Sequence, residues 1–392
     1  MRKLFIITCL LFLFVGTAFA ADPIKIGYIA TLTGEGSTWG QHERDGALMA
    51  VKEINDAGGL LGRPVELIYY DVKGRPEEAV NAVRRLVFDD KVVAIGGSNY
   101  SSIQLAISPI VNNEKVPVMG TATTNPAVTV NPETGEVVQY MFRMAYTDPY
   151  QGKVMADYLI HRLGKKKIAI IGDVGDPYSE GLSEFVRNRS DEFGIEHRSW
   201  GFRAGDVDFR AQLTEARDWG ADALAMTMFY KEMGLVMRQA ADLGWDPAFI
   251  GGDGYSPSLF EVSGEAAEGS YWVYSMNETD EGYQRIVAKY ENEYGRVPTE
   301  PGNVIYAYDV ISVFADAIKR AGKAEGPAIR DAMAETKDLQ LAHFKYTVDP
   351  ATHNPLNKPA AMMRAKQGAA DPNVPLNEKL EFLEMWEPQD VF

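Results

Sequence analysis

The sequence predicts an α/β protein made of two doubly wound lobes, and three observations lead to this prediction. Short apolar runs rich in β-branched residues alternate with amphipathic helical segments along most of the chain, which is typical of βαβ units around parallel sheets. The runs are apolar throughout, as expected of strands that are covered on both faces. Finally, there are more of these units than one compact sheet accommodates, and 392 residues are enough for two domains.

The first unit begins with the strand IKIGYIA, passes through the loop TLTGEGSTWG and enters a helix that ends in VKEIND. Leu48, Val51 and Ile54 recur at helical spacing, and Gly58-Gly59 is the stop signal. Further strands are predicted at 65–71, 92–97, 116–119, 167–173, 221–229, 248–252 and 269–275. The helices between them are predicted at 76–90, 102–113, 150–164, 179–193, 208–219 and 231–243.

The alternation of strands and helices is interrupted at two places. YTDPY, at 146–150, places a proline-containing turn between two units. After about Ser275, two long helices at 281–295 and 303–321 follow each other without a strand between them. A chain that crosses between the lobes more than once explains both interruptions. We therefore predict a first lobe of 22–145 plus 277–345, and a second lobe of 147–274 plus 348–392.

The first 20 residues predict a cleavable export signal. Arg2 and Lys3 precede the apolar run LFIITCLLFLFVG, and small residues stand three positions and one position before Ala21. The apolar run is shorter than the roughly 20 residues that a membrane span needs. We predict cleavage between Ala20 and Ala21 and a periplasmic location. Because the one cysteine, Cys9, lies in this leader, the exported chain must be stabilised by its core and not by disulfides.

The charge of the chain argues against two classes of partner. The formal net charge is −16, and loss of the two basic residues Arg2 and Lys3 with the leader takes it to −18. Such an acidic balance disfavours nucleic acid and anionic membrane surfaces as partners. Plain solubility is the explanation of this charge that we favour.

Polar or glycine-rich loops follow the predicted strands at their C-terminal ends, the edge at which α/β proteins bind ligands. These loops contain hydroxyl groups and helix-start N–H groups that suit a carboxylate, an aspartate that suits an ammonium, and aromatic rings that form flat apolar walls. The hydroxyl candidates are Ser101, Ser102 and Thr124. The aspartate is Asp253, and the aromatic candidates are Trp39, Tyr178 and Tyr230. Together they predict a pocket for a zwitterion with an apolar side chain.

Several of these candidates also have a structural alternative. Ser101 or Ser102 is equally suited to capping the next helix, Thr124 and Asp253 are suited to turns, and Trp39 is suited to a core position. The sequence has no G-x-S-x-G, no H-E-x-x-H, no P-loop and no G-x-G-x-x-G after a strand. We therefore expect a binding protein with no catalytic residue, no cofactor and no metal. An exported enzyme on the same scaffold is the alternative class.

The segment IGYIATLTGEGSTWGQHERDGALMAVKEINDAGGLLGRPVELIYYD resembles the start of the leucine/isoleucine/valine-binding family of periplasmic solute receptors, which serve ABC importers. The likeness continues through VPVMGTATTNP, D-x-x-QG at 148–152, PYSEG at 177–181, YKEMGLVMRQ at 230–239 and GGDG at 251–254. The resemblance implies a type I periplasmic binding protein, with two α/β lobes, three hinge crossovers and a ligand closed between them. It further implies a monomer whose partners are the importer's membrane permease subunits.

The resemblance also implies roles for individual residues of the first lobe. Trp39 stands where the family places an aromatic ring over the ligand side chain. Ser101 or Ser102, together with Thr124 and the backbone of Ala122, would hold the ligand carboxylate.

From the second lobe, the resemblance implies Tyr178 and Tyr230 as ligand contacts and Asp253 as the acidic partner of the ammonium. Relatives that bind aliphatic amino acids often carry glutamate at the position of Asp253, so the carboxyl reaches less far in this chain. Such receptors also bind amides, urea and aromatic acids. An aliphatic or other apolar L-amino acid is the expected ligand, with those compounds, or a ligand-presenting sensory role, as alternatives.

Overall fold

The computed structural model describes residues 22–356, 358–375 and 378–387. The predicted leader and its cleavage site lie outside these residues. Within them, the chain forms a five-stranded sheet, a seven-stranded sheet and a two-stranded ribbon. No helix in the described ranges is both long enough and apolar enough to cross a membrane.

The first sheet is built from the N-terminal part of the chain. Its strands are β1 (Ile24–Ala30), β2 (Val65–Asp71), β3 (Ala94–Gly96), β4 (Val118–Gly120) and β5 (Met141–Arg143). The helices between them are α1 (Ser37–Asp56), α2 (Pro76–Arg84, continued by a π-helical turn at Arg85–Asp90) and α3 (Ser101–Glu114). All pairings are parallel and the strand order is β2-β1-β3-β4-β5, so the loops that follow β1, β3 and β4 meet at one edge.

The second sheet begins after the chain leaves β5. Its first seven helices and strands are α4 (Asp148–Asp157, continued by a π-helical turn at Tyr158–Arg162), β6 (Lys167–Asp173), α5 (Pro177–Glu192), β7 (Glu196–Phe202), α6 (Arg210–Trp219), β8 (Ala223–Thr227) and α7 (Tyr230–Asp242). They are followed by β9 (Ala248–Gly251), the short α8 (Phe260–Ser263) and β10 (Tyr271–Tyr274). These strands pair in parallel.

The chain then returns to the first sheet and afterwards to the second. It forms α9 (Glu281–Tyr294), α10 (Pro301–Ala321), α11 (Gly326–Ala334) and the ribbon β11 (Leu339–Gln340) and β12 (Lys345–Tyr346). The last strands, β13 (Ala360–Ala365) and β14 (Leu380–Trp386), join the second sheet in the order β14-β13-β10-β9-β8-β6-β7. The chain therefore passes between the two sheets near 144–147, 275–280 and 347–359, counted over the described residues.

We use "first lobe" for the five-stranded sheet with α1–α3 and α9–α11, and "second lobe" for the seven-stranded sheet with α4–α8. Helix α10 belongs to the first lobe because its apolar residues share one core with β1 and α1. The two helices approach closely at Gly46, where an added Cβ would lie 2.1 Å from the carbonyl oxygen of Val304. A glycine is required at this contact, which fixes the start of α10 beside the cleft.

Most predicted elements are present, and the differences have a clear cause. The predicted strands at 65–71 and 167–173 coincide with β2 and β6, whereas β3, β4 and β8–β10 are shorter than their apolar runs. Strand β5 was not anticipated because it has only three residues, and β7 (EHRSWGF) was not anticipated because it lies at the sheet edge with polar residues. The antiparallel pairings of β13 were also not anticipated. The predicted residue boundaries of the two lobes stay predictions.

Candidate functional site

A cavity lies between the lobes at the carboxyl ends of both sets of parallel strands, and we call it the central cavity. From the first lobe it is lined by the loop residues Asn99 and Ala122, by Trp39 on α1, and by the start of α10 at 299–303 with Tyr306. From the second lobe it is lined by Tyr178, Phe229, 253–255 and Tyr274. Four of the predicted site residues thus share one cavity: Trp39, Ala122, Tyr178 and Asp253.

Asp253 is the acidic group of the cavity that is held most firmly. It follows β9, and its Oδ1 accepts a hydrogen bond from the Gln151 Nε2 at 3.1 Å. The amide oxygen of Gln151 in turn accepts from the backbone N–H of Asp253 at 2.5 Å, so the side chain has one fixed orientation. Burial raises the pKa of the Asp253 carboxyl to about 7, opposed by hydrogen bonds from Gln151 and Tyr178. The cavity therefore holds a carboxyl group that a cation would ionise.

Aromatic rings from both lobes meet at one end of the central cavity. Phe229 stacks on Tyr178, with ring centroids 5.3 Å apart, and presents its edge to Trp39 at 6.0 Å. Tyr230 meets the same indole at 5.0 Å. Trp39 is buried, and the Tyr178 hydroxyl accepts a hydrogen bond from the Gly254 backbone N–H at 3.0 Å. These rings form an apolar wall beside Asp253, in an arrangement that suits the hydrocarbon part of a ligand.

On the first-lobe side, the cavity is bordered by the start of α3. Asn99 lies just before this helix and its Oδ1 is buried with no hydrogen-bond partner among the described residues. Ala122 lies across from it in the loop after β4. Helix N-termini with free N–H groups favour anions, so this side of the cavity is suited to an anionic group. Arg143 stiffens the loop, because its guanidinium donates to the carbonyl oxygens of Thr123 and Asn125 at 3.0 and 2.7 Å.

The other four predicted residues lie outside the wall of the central cavity. The Ser101 hydroxyl accepts a hydrogen bond from the Asn125 backbone N–H at 3.3 Å. Ser102 lines a second cavity, which also lies between the lobes and contains Glu35, Tyr100 and Glu232. Thr124 is fully buried and its hydroxyl lies beside the Asp148 carboxyl. The ring of Tyr230 contacts the indole of Trp39. Their predicted roles in ligand binding stay predictions.

The contact of Ser101 with the loop after β4 leads to a test. We expect Ser101→Ala to lower the free energy of unfolding by about 1 kcal/mol, because it leaves the partly buried N–H of Asn125 without its acceptor. Ligand affinity should stay nearly unchanged if this contact is the main role of the hydroxyl. Urea unfolding and isothermal titration calorimetry on the same variant check both statements. A large loss of affinity at unchanged stability would instead support Ser101 as the carboxylate ligand.

Two further buried carboxyl groups, Glu300 and Glu43, have raised pKa values. Burial raises the pKa of Glu300, at the start of α10, to about 8, opposed by the Ser256 hydroxyl that donates to it. Burial also raises the pKa of Glu43 to about 8, opposed by hydrogen bonds from Thr121 and Asn303. Of these two, Glu300 lines the central cavity.

Sequence reasoning missed several residues of the cavity for identifiable reasons. Sequence reasoning selects Tyr230 and not its neighbour Phe229, although Phe229 ends the strand-to-helix loop directly before it. Gln151, which orients Asp253, lies within the D-x-x-QG segment that carries part of the family resemblance, so its position was visible. Glu300 and Tyr306 are contributed by α10, and a search restricted to strand ends does not reach them. The sequence feature that could have pointed to this helix start is Glu300-Pro301, because proline is common at the first position of a helix.

The site has no group that suggests metal chemistry. Within the described ranges, no three histidine, cysteine, aspartate or glutamate side chains are placed so that they could hold a metal ion. The Asp253 carboxyl accepts a hydrogen bond from the Gln151 amide, and the Glu300 carboxyl accepts one from the Ser256 hydroxyl.

Comparisons with known proteins agree with this geometry. The family described as "Periplasmic binding protein" matches residues 23–370. The chain is 30% identical over 325 residues to the leucine-, isoleucine-, valine-, threonine-, and alanine-binding protein of Pseudomonas aeruginosa, with 82% of this chain and 84% of that protein covered.

Two solved structures are similar over their full length. A leucine-binding protein from Thermotoga maritima has a TM-score of 0.83 and 31% identity, with 93% of this chain and 99% of that chain covered. A branched-chain amino acid transporter substrate-binding protein from Streptococcus pneumoniae, in complex with isoleucine, has a TM-score of 0.82 and 28% identity, with 94% and 100% covered. The two lobes and the place of the cavity between them are those of a type I periplasmic binding protein.

Proposed function

The chain belongs to the periplasmic binding protein family, and on that premise we propose that it is the substrate-binding component of an ABC importer with an L-amino acid as its ligand. The observation that carries the proposal is the fixed, buried carboxyl of Asp253 beside the aromatic wall. An α-ammonium group would pair with this carboxyl, and an aliphatic side chain would lie along Trp39, Tyr178 and Phe229. The Pseudomonas aeruginosa relative is named for leucine, isoleucine, valine, threonine and alanine, and the Streptococcus pneumoniae structure contains isoleucine.

The ligand carboxylate would face the first lobe. It would approach Asn99, the Ala122 backbone and the start of α3, with Ser101, Ser102 and Thr124 as the hydroxyl groups proposed from sequence. The ammonium would face Asp253 in the second lobe. A ligand that contacts both lobes binds the closed form more tightly than the open form, so its binding shifts the population toward closure. The closed pair of lobes is what the permease subunits would recognise.

Direct contacts between the lobes already support the closed arrangement. The Asn125 Nδ2 donates a hydrogen bond across the cleft to the carbonyl oxygen of Pro177 at 2.7 Å, and Lys231 forms an ion pair with Glu35 at 3.6 Å. The ion pair is solvent-exposed, so its contribution is small. The amide contact is the stronger candidate for a latch, because both of its partners are held on rigid helix starts.

We expect Asn125→Asp to weaken ligand binding by about 1–2 kcal/mol. The substitution removes the donor to Pro177 but keeps an oxygen that accepts from the Ala127 N–H, the cap of the following turn. Stability of the ligand-free protein should therefore change little, whereas the dissociation constant measured by calorimetry should rise. Asn113→Ala, on the exposed end of α3, is the matched control. Equal affinity in both variants would mean that this contact does not stabilise the closed form.

The proposed function is tested by a thermal-shift screen. The protein is unfolded and refolded to remove any co-purified ligand, then mixed with amino acids, their amides, urea and small aromatic acids. A ligand at about a thousand times its dissociation constant adds roughly 4 kcal/mol, which corresponds to several degrees. We expect a response to L-amino acids and none to their amides, because the amide removes the carboxylate. A response to amides, urea or aromatic acids alone would keep the receptor fold and overturn the amino acid proposal.

The remaining parts of the proposal follow from family membership. The family is made up of solute-binding proteins and not of enzymes, so we infer binding without turnover. We also infer a monomer in the periplasm, released by cleavage between Ala20 and Ala21. Mass spectrometry of the exported protein would identify the new N-terminus, and genes for permease and ATPase subunits beside this one would separate an importer from a sensory role.

A further inference from the structure

The end of the central cavity at the start of α10 contains a second acidic group. Glu300 lines the cavity, is only 6% exposed and accepts a hydrogen bond from the Ser256 hydroxyl. No ion pair to Glu300 is present in the part of the chain that the structure describes. A buried carboxyl without a cation is destabilising when it is ionised. Its position in a binding cavity therefore indicates a role in ligand binding.

The charged side chains that line the central cavity are all acidic. Asp253, Glu278 and Glu300 line it, and no lysine, arginine or histidine does so among the described residues. The charge of Glu278 is partly compensated, because Lys366 and the backbone N–H of Phe382 oppose the effect of burial on its pKa. Glu300 has no such compensation from a basic side chain. An α-amino acid has one ammonium group, and Asp253 is already placed to receive it.

A second, independent feature of the same end indicates a missing polar partner. Tyr255 lines the cavity and is 8% exposed, and its hydroxyl oxygen has no hydrogen-bond partner among the described residues. Glu300 lines the same cavity, and after burial its charge makes the largest contribution to the raised pKa of Tyr255. Buried polar groups without partners are rare in folded proteins, so this hydroxyl and this carboxyl together point to a bound polar group.

Aromatic rings complete the surroundings of Glu300. Tyr274 and Tyr283 line the same end, and the Glu300 carboxyl acts on the pKa of both hydroxyls. The Tyr274 hydroxyl is held by the Gly302 backbone N–H, and an added Cβ at Gly302 would lie 1.8 Å from it. Aromatic faces beside a carboxylate attract organic cations. The region is therefore suited to an ammonium and unsuited to an anion.

Both acidic groups belong to one continuous cavity. Asp253 and Glu300 both line it, together with Tyr274. Burial raises the pKa of the Tyr274 hydroxyl, and the charges of both carboxyls raise it further. One ligand could therefore contact Asp253 and Glu300 at the same time.

We propose that the central cavity has a second cation subsite at Glu300, framed by Tyr255, Tyr274 and Tyr283, and that the ligand is an L-amino acid whose side chain ends in an ammonium group. This proposal rests on the proposed function, because it places the α-ammonium at Asp253. The aliphatic stem of such a side chain would start beside the aromatic wall at Asp253 and continue through the tyrosine-lined part of the cavity, and its terminal ammonium would neutralise Glu300.

The test compares two ligands that differ in the terminal cation alone. L-lysine and L-norleucine share the α-amino acid group and the same unbranched four-carbon stem, but norleucine lacks the terminal ammonium. We expect calorimetry at pH 7 to give L-lysine an affinity at least tenfold higher than norleucine, in line with a buried charge-assisted contact. Glu300→Gln should abolish this preference, whereas Glu66→Gln, an exposed glutamate of the first lobe, should retain it.

Proton release provides a readout that a purely structural role of Glu300 would not change. Binding of lysine should release more protons at pH 7 than binding of norleucine, because the terminal ammonium ionises Glu300. The excess is measured by repeating the titration in buffers with different ionisation enthalpies, and it should vanish in Glu300→Gln. The titratable groups that line this end of the cavity with Glu300 are Glu278 and three phenols, Tyr255, Tyr274 and Tyr283. The pKa values of these phenols are raised above their ordinary value, so they stay protonated at pH 7. The Glu300 charge also acts on Tyr230, whose pKa is raised first by burial.

The outcomes separate this inference from the proposed function. Binding of leucine and norleucine without any preference for lysine would overturn the cation subsite and leave the proposed function in place. A preference for lysine that survives in Glu300→Gln would overturn Glu300 as its origin. If no amino acid bound at all, the proposed function itself would fail, and this inference with it.

Discussion

Replacement of Asp253 by alanine is expected to weaken the binding of L-amino acids by roughly 2–5 kcal/mol, because a buried ammonium would lose its only fixed partner. The orientation of the side chain supports an effect of this size. Gln151 holds both the carboxyl and the backbone N–H of Asp253, so the free protein has already lost the conformational entropy of this side chain. Ligand binding then orders little that was mobile before.

Isothermal titration calorimetry on the refolded, ligand-free protein measures this loss. Asp246→Ala is a suitable control, because Asp246 is exposed in the same lobe and the substitution makes the same change in net charge. Thermal unfolding of the ligand-free variant should be close to that of the original protein. A dissociation constant that is the same in Asp253→Ala and Asp246→Ala would contradict the assignment of Asp253 to the ammonium.

The pH dependence of binding follows from the same residue. Burial raises the pKa of Asp253 to about 7, whereas an ammonium requires the ionised carboxylate. Affinity should therefore fall as the pH decreases below 7, by up to tenfold per pH unit once the carboxyl is mostly protonated. Above pH 8 the Asp253 carboxyl is mostly ionised, so its titration should no longer change the affinity. Asp253→Asn should remove the dependence together with most of the affinity.

The sequence predicts the fold of this protein better than it predicts the members of the site. The apolar run KIAIIGD predicts β6 because a strand covered on both faces leaves a continuous signal. The run VELIYYD predicts β2, although this edge strand is mostly only half-buried or exposed. The loops after these strands pointed to the cleft because parallel strands end at one edge. Trp39, Ala122, Tyr178 and Asp253 line the central cavity as a consequence of this topology.

The remaining site residues depend on information that a single sequence does not contain. Ser101 and Ser102 are neighbours at the start of α3, and helix geometry turns one toward the Asn125 backbone and the other toward the second cavity. Which hydroxyl faces a ligand depends on a rotation of about 100° per residue. Glu300 enters the cavity directly before α10, a helix that begins about 160 residues after the end of β5. The change of pattern after Ser275 predicts this return to the first lobe, but it does not show which residue of the returning segment faces the cavity.

Glu300→Gln is expected to make the ligand-free protein more stable than the original at alkaline pH and about equally stable near pH 5. The folded pKa of Glu300 is about 8, against an ordinary value of 4.5. Between these two values the folded protein keeps a proton that the unfolded chain has lost, so this group's contribution to stability is complete below pH 4.5 and is lost as the pH rises through 8. Each pKa unit corresponds to about 1.4 kcal/mol, so the difference at pH 8.5 is on the order of 4 kcal/mol.

Denaturant unfolding of the ligand-free protein at pH 5.5 and 8.5 measures this effect. The glutamine keeps an oxygen that can accept from Ser256, so the pH 5.5 values compare two similar structures. Other groups titrate in the same range, among them Asp253 with its pKa of about 7 and His343, whose burial lowers its pKa to about 4. They are present in both proteins, so their contributions cancel in the difference. The exposed Glu66→Gln should show no pH-dependent difference.

The sign of this difference distinguishes two reasons for a glutamate at position 300. If Glu300 only supported the start of α10, its replacement would destabilise the protein at both pH values, or by the same amount at each. A variant that is more stable only at alkaline pH would show that the native residue lowers the stability of the free protein. Binding sites commonly carry such a loss of stability. A cationic ligand would then restore it, and the original protein should gain more thermal stability from L-lysine at pH 8.5 than Glu300→Gln does.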